Sequence, residues 1–131
     1  MLRTYSNSIS VTSGNAIPLN KNKILTNTSI SHAEGSSSIV VNSPGYYLVT
    51  VDISSTIDTT GTASIQLYAD GTAIPDAIIT ENLTASEYSS GSFSTIIKAT
   101  PGLHGQKVTL TIVPTANLTI SSIAVGINRL A

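Results

Sequence analysis

Cysteine is absent from the 131 residues, which excludes disulfides and thiolate metal sites and leaves the redox compartment unreadable. Tryptophan is absent too, and the aromatics are five Tyr and one Phe. Glycan sites commonly use exposed aromatic faces, so such a small set weighs against a carbohydrate-binding function. Charge is scarce: 10% of residues are Asp, Glu, Lys or Arg, against about 25% in ordinary globular domains. The formal net charge is −1. No basic patch exists to neutralise phosphates, so nucleic-acid binding is not expected. No run approaches the ~18 apolar residues needed to span a membrane. Met1–Ser6 has no apolar core of the kind a cleavable secretion signal carries, and none is expected.

What is present points to sheet. Polarity comes from 20 Ser and 18 Thr. Ile and Val together number 25, against 10 Leu. β-Branched side chains are stiff at χ1 and pack well on a pleated surface. A chain of this length buries roughly two-thirds of the surface its unfolded form exposes, so one domain over residues 1–131 can hold a core without staples.

Hydrophobic alternation with period two runs through the chain. Tyr47, Val49, Val51 and Ile53 alternate with Leu48, Thr50, Asp52 and Ser54. Ala63, Ile65 and Leu67 alternate with Ser64, Gln66 and Tyr68. Val108, Leu110 and Ile112, then Ile123, Val125 and Ile127, repeat the pattern. The alternation predicts that Val49, Val51, Ile65, Leu67, Leu110 and Ile112 face a core. Turn signals separate the runs: Ser13-Gly14, Pro44-Gly45, Thr60-Gly61, Asp70-Gly71, Pro101-Gly102 and His104-Gly105. Asp70-Gly71, between two alternating segments, is the strongest hairpin signal. Strands are expected over 3–11, 16–19, 23–32, 37–42, 46–57, 62–70, 72–81, 91–99, 106–113 and 118–130. In the last of these Leu118 and Ile120 share one parity and Ile123, Val125 and Ile127 the other, so a bulge is expected at Ser121-Ser122. This spacing predicts an all-β sandwich or barrel of antiparallel sheets.

The run Pro44-Gly45-Tyr46-Tyr47-Leu48-Val49-Thr50-Val51 resembles the Gly-x-Tyr strand of the C1q/TNF-like jelly-roll superfamily. Ile65 to Pro75 resembles the strand–turn–strand that follows in those domains, and Leu118 to Leu130 resembles their closing strand. The resemblance covers most of the chain, best from Pro44 onward. It is strongest to the short bacterial and bacteriophage version, which forms trimeric tips on spore-surface collagen-like proteins and small virion proteins. The chain has no Gly-x-x collagen repeat, which favours the virion variety. The resemblance implies a two-sheet jelly-roll sandwich and a homotrimer in which strands 46–57, 91–99 and 118–130 share the sheet nearest the three-fold axis. Leu48 beside Val49 and Ile96 beside Ile97 put apolar residues on both faces of two of these strands, whereas a one-sided sheet alternates cleanly. Tyr46, Leu48, Ile96 and Ala124 are therefore the expected interface residues. Val113 beside Ile112 shows the same feature outside that sheet.

Candidate chemistry is thin. His32 and His104 are the only histidines, no Gly-x-Ser-x-Gly occurs, and His104 lies in a turn-like stretch. The acids are scattered, and Asp70 is expected to serve its turn. Some relatives carry calcium, but no Asp-x-Asp-x-Asp-Gly loop is present and no metal or cofactor is expected. Asn27-Thr28-Ser29, Asn82-Leu83-Thr84 and Asn117-Leu118-Thr119 match the glycosylation triplet, a frequent coincidence in a Ser/Thr-rich chain. Lys21-Asn22-Lys23 reads as a solvated loop. The expected function is that of a trimeric structural virion protein, a capsid decoration or head-fibre-like component acting by assembly at the virion surface. Its partners would be further copies of itself and the major capsid protein. The alternative is a receptor- or glycan-binding tip, on a phage fibre or a bacterial spore or cell surface, that meets a host-surface glycan. A small hydrolase would need a histidine in a pocket with a carboxylate or hydroxyl.

Overall fold

In a computed structural model the chain is described over residues 1–26, 28–100 and 107–131. Ten strands follow in order: β1 (Leu2–Val11), β2 (Lys21–Leu25), β3 (Ile30–Ser31), β4 (Ile39–Val41), β5 (Gly45–Ile57), β6 (Gly61–Ala69), β7 (Thr72–Leu83), β8 (Ser89–Ala99), β9 (Val108–Pro114) and β10 (Leu118–Arg129). They form two five-stranded sheets with the orders β2-β1-β10-β5-β8 and β3-β4-β9-β6-β7. Every pairing among the described residues is antiparallel. This is a jelly-roll sandwich.

The period-two residues fill the space between the sheets. Val49, Val51, Ile65, Leu67, Leu110 and Ile112 are all buried in one apolar cluster with Ile123, Val125 and Ile127. Burying such side chains is the main favourable term in a sandwich of this kind. Tyr47 is fully buried and its hydroxyl donates to the Ser43 carbonyl at 2.8 Å, while Tyr46, its neighbour in sequence, is 47% exposed. Adjacent strand residues point to opposite faces, so one ring packs the core and the other faces out.

The expected bulge in the last strand is present. The β10–β5 register shifts between Ile120 and Ser122, and Ser121 Oγ donates to the Ser54 carbonyl at 2.9 Å. The extra residue lets Ile120 and Ile123 both face inward. The Asp70-Gly71 hairpin is also present, with φ of 50° and 80° at its two central residues and Ala69 paired to Thr72. Two positive φ values match the twist of antiparallel strands.

Four expectations need correction. Residues 16–19 are not a strand: Ile17 and Leu19 are buried, but Ile17 N–H bonds to the Ile112 carbonyl and Leu19 N–H to that of Ser36, two separate anchors rather than a ladder. Pro18 between them has no N–H to give. The segment 23–32 is two strands. β2 pairs with β1 in one sheet and β3 with β4 in the other, so the chain changes sheets between them. Lys21-Asn22-Lys23 opens β2 and is not a loop. Asp70 does bond backbone, but that of Thr109 on β9 rather than its own turn.

Candidate assembly face

The outer surface of the β2-β1-β10-β5-β8 sheet can be read as rows of side chains across neighbouring strands. At one end Leu130 N–H donates to the Tyr46 carbonyl at 2.7 Å, and Tyr46 pairs with Lys98. The next row is Asn128–Leu48–Ile96. Below it lie Arg3–Gly126–Thr50–Ser94, then Tyr5–Ala124–Asp52–Ser92, then Asn7–Ser122–Ser54–Ser90. The face therefore has an apolar end and a broad middle mostly of Ser, Thr, Gly and Ala, with Asp52 on β5 and Arg3, Tyr5 and Asn7 on β1.

The apolar end carries three of the four expected interface residues. Ile96 is 59% exposed, Tyr46 47% and Leu48 half-buried, and Leu48 lies directly opposite Ile96. Leu130, at the position opposite Tyr46 and 50% exposed, extends the patch. Leu130 shares the parity of Ala124 beyond the bulge, so its face was legible in the sequence; its place beside Tyr46 was not, because that depends on the β10–β5 register. Ala124 lies on the same face but four residues along β10 from Asn128, in the row of Asp52, roughly 13 Å from the apolar end at strand rise. Val113 is half-buried on the other sheet, paired with Gln66.

The middle of the face is shallowly grooved. One open trough of ≈ 430 Å³ is lined by Asp52, Ser54, Ser90, Ser92, Ser122 and Ala124, among others. A second, of ≈ 410 Å³, is lined by Arg3, Tyr5, Lys23 and Ala124. Ala124 lines both. Gly126 is what lets Arg3 lie down across β10. A side chain at 126 would come within 2.9 Å of Thr50 Oγ1 and 3.4 Å of Arg3 Nη1.

The rest of the molecule offers little that resembles a reaction site. His32 is buried, and its ring nitrogens meet Asn22 Oδ1 at 2.6 Å and the Ser36 carbonyl at 2.9 Å. Its partners are an amide and a backbone oxygen, not a carboxylate or hydroxyl, so it holds β3 to β2 and the 33–36 turn. His104 lies outside the described residues. Asp76 accepts a hydrogen bond from Thr95 at 2.9 Å and Glu81 one from Ser89, which tie β7 to β8 across the open edge of the sandwich. The cavity beneath Glu81, lined by Ile53, Ser55, Ile65, Ile79 and neighbours, has a volume of ≈ 20 Å³, enough for about one water. Among the described residues no three His, Asp or Glu are grouped to hold a metal ion.

No protein-family model matches the sequence, and no curated protein matches it. Solved structures do match. The chain aligns with the globular domain of zebrafish complement 1qA protein at a TM-score of 0.76 and 10% identity, over 99% of this chain and 96% of that one. It aligns with Eiger TNF from S. frugiperda at 0.67 and 13% identity, over 99% and 92%. The fold is the C1q/TNF-like jelly roll. A third match to this jelly roll is PRD1 vertex protein P5, at a TM-score of 0.65 and 10% identity over 99% of this chain and 96% of that one. At such identities the shared property is the C1q/TNF-like fold, and functional inference has to come from the surface.

Proposed function

We propose that the chain is a structural virion component, a trimeric capsid decoration or head-fibre-like protein that acts by assembly and surface presentation. The observation that carries this is the apolar row Leu48–Ile96 with Tyr46 and Leu130 beside it, exposed at one end of a face whose other rows are mostly Ser, Thr, Gly and Ala with a few charged residues, and with Ile24 at its β2 edge. Large apolar side chains grouped on the outer face of a sheet mark a contact surface. The small residues beyond them let another copy's backbone approach closely. The likeness in fold to a vertex protein supports placing that assembly on a particle, with the major capsid protein as the partner outside the trimer. A receptor- or glycan-binding tip has less support: the larger hollows are open troughs with Tyr5 as their one aromatic, and the strongly exposed aromatic Tyr88 stands in the β7–β8 connection.

The test has two parts. Light scattering after size exclusion should give a mass near three times 13.5 kDa at micromolar concentration. Antibodies raised against the purified protein should decorate intact particles in electron micrographs. A mass near 13.5 kDa overturns the trimer, and bare particles overturn the virion role.

A further inference from the structure

Asp52 is the one acid within a described strand whose carboxylate has no partner among the described residues. Asp76 and Glu81, the other strand acids, bond Thr95 and Ser89. Asp52 stands on the outer face of β5, the strand next to the β8 edge, between Ala124 on the central strand β10 and Ser92 on β8. On the other side of Ala124 stand Arg3 and Lys23, likewise without an ion-pair partner among the described residues. The two troughs are thus of nearly equal size and opposite in charge.

Area brings Asp52 into any stable contact on this face. A stable contact needs on the order of 800 Å² from each partner. One large aromatic side chain supplies at most ~250 Å², and the four apolar residues at the end are already about half covered. The contact must therefore run on into the rows of Thr50 and Asp52. A carboxylate covered there without a cation would carry a heavy desolvation cost. A three-fold ring also joins two different patches, one flank of each copy against the other flank of the next. The β1–β2 flank carries Arg3 and Lys23, with the Glu34 carboxylate held by the Asn22 N–H at its edge, and the β5–β8 flank carries Asp52. Lys98, the cation on the acidic flank, is six residues along β8 from Ser92, roughly 20 Å away and outside the ~8 Å screening length of physiological salt.

We infer that the contact between copies is registered by charge, with Asp52 of one protomer paired to Arg3 and Lys23 of the adjacent copy. This rests on the trimer reading and specifies which flanks meet. Because the closure is heterologous, each copy gives its acid to one neighbour and its cations to the other. Interfacial charge pairs of this kind suppress wrong registers as well as adding affinity.

Charge reversal tests it. Wild type, Asp52→Lys, the double variant Arg3→Glu with Lys23→Glu, and the combined triple variant are diluted and weighed by light scattering. Circular dichroism melts confirm that each folds. We expect Asp52→Lys and Arg3→Glu/Lys23→Glu each to raise the concentration of half-dissociation at least about tenfold, and the triple variant to recover most of that loss. A triple variant as weak as its parents overturns the pairing. So does Asp52→Asn assembling more tightly than wild type, which would mean that like carboxylates meet at the axis. If reversal changes nothing while wild type is trimeric, the trimer stands and the pairing falls. If wild type is monomeric at micromolar concentration, both fall.

Discussion

At position 45 a side chain would meet the Ala131 backbone oxygen at 2.5 Å and Arg129 Nε at 2.9 Å, and the backbone φ is +149°. Glycine is needed there on both counts. Gly45→Ala is expected to lower stability by about 1–3 kcal/mol, read as a drop in melting temperature, and an unchanged melt would contradict the close approach. Val51 makes the opposite case. It is fully buried at the centre of β5, so Val51→Asp puts an unpaired carboxylate in the core at a cost of several kcal/mol. The expected outcome is an insoluble or non-cooperatively melting protein, and a near-wild-type melt would refute the core assignment. Core residues of this kind were legible because period two needs only local sequence. The reason for Gly45 was not, because its neighbours lie 84 and 86 positions away along the chain.

Strands with strong alternation were found from sequence to within a few residues, as β5, β6, β9 and β10 show. What escaped were the places where the chain leaves one sheet for another. Residues 23–32 look like one apolar-polar run, yet β2 and β3 belong to different sheets. Alternation reports which way a side chain points, not which strand is alongside, and Ile17 and Leu19 point inward with no ladder at all. Turn chemistry was legible where backbone geometry demands particular residues. Gly71 has φ +80° with open space around it, so Gly71→Ala costs only the left-handed backbone term, about 1–2 kcal/mol. The hairpin joins β6 and β7 of the sheet away from the proposed contact. The variant should therefore melt earlier yet keep the oligomeric mass of wild type. A variant that loses assembly at unchanged stability would place the contact on the wrong sheet.

At the scale of the whole molecule the question is which face meets the next copy, and the two sheets make different offers. The outer side of the second sheet presents residues such as Gln66, Thr109 and Thr111, with one row, Ile78–Gln66–Val113, in which Ile78 is 39% exposed and Val113 half-covered. The outer side of the first sheet presents Tyr46, Leu48, Ile96 and Leu130 together. The sequence pointed to Leu48 and Ile96 on this face through apolar residues at both parities, while their closeness to each other and to Tyr46 and Leu130 emerged only from the β5–β8 and β5–β10 registers. A few large side chains carry most of the energy of a contact. Leu48 is at the centre of its row, between Asn128 and Ile96, and being on the outer face it can take a charge without disturbing the core. Leu48→Arg would bury three guanidinium groups in the ring, each without a matching acid, since Asp52 is four residues away along β5. The expected result is a monomeric mass near 13.5 kDa at concentrations where wild type is trimeric, with a cooperative melt retained. Thr111→Arg, which adds the same charge on the other sheet, should leave the proposed trimer intact. If Leu48→Arg remains trimeric and Thr111→Arg dissociates, the axis runs along the second sheet and the apolar row serves a contact with some other component of the particle.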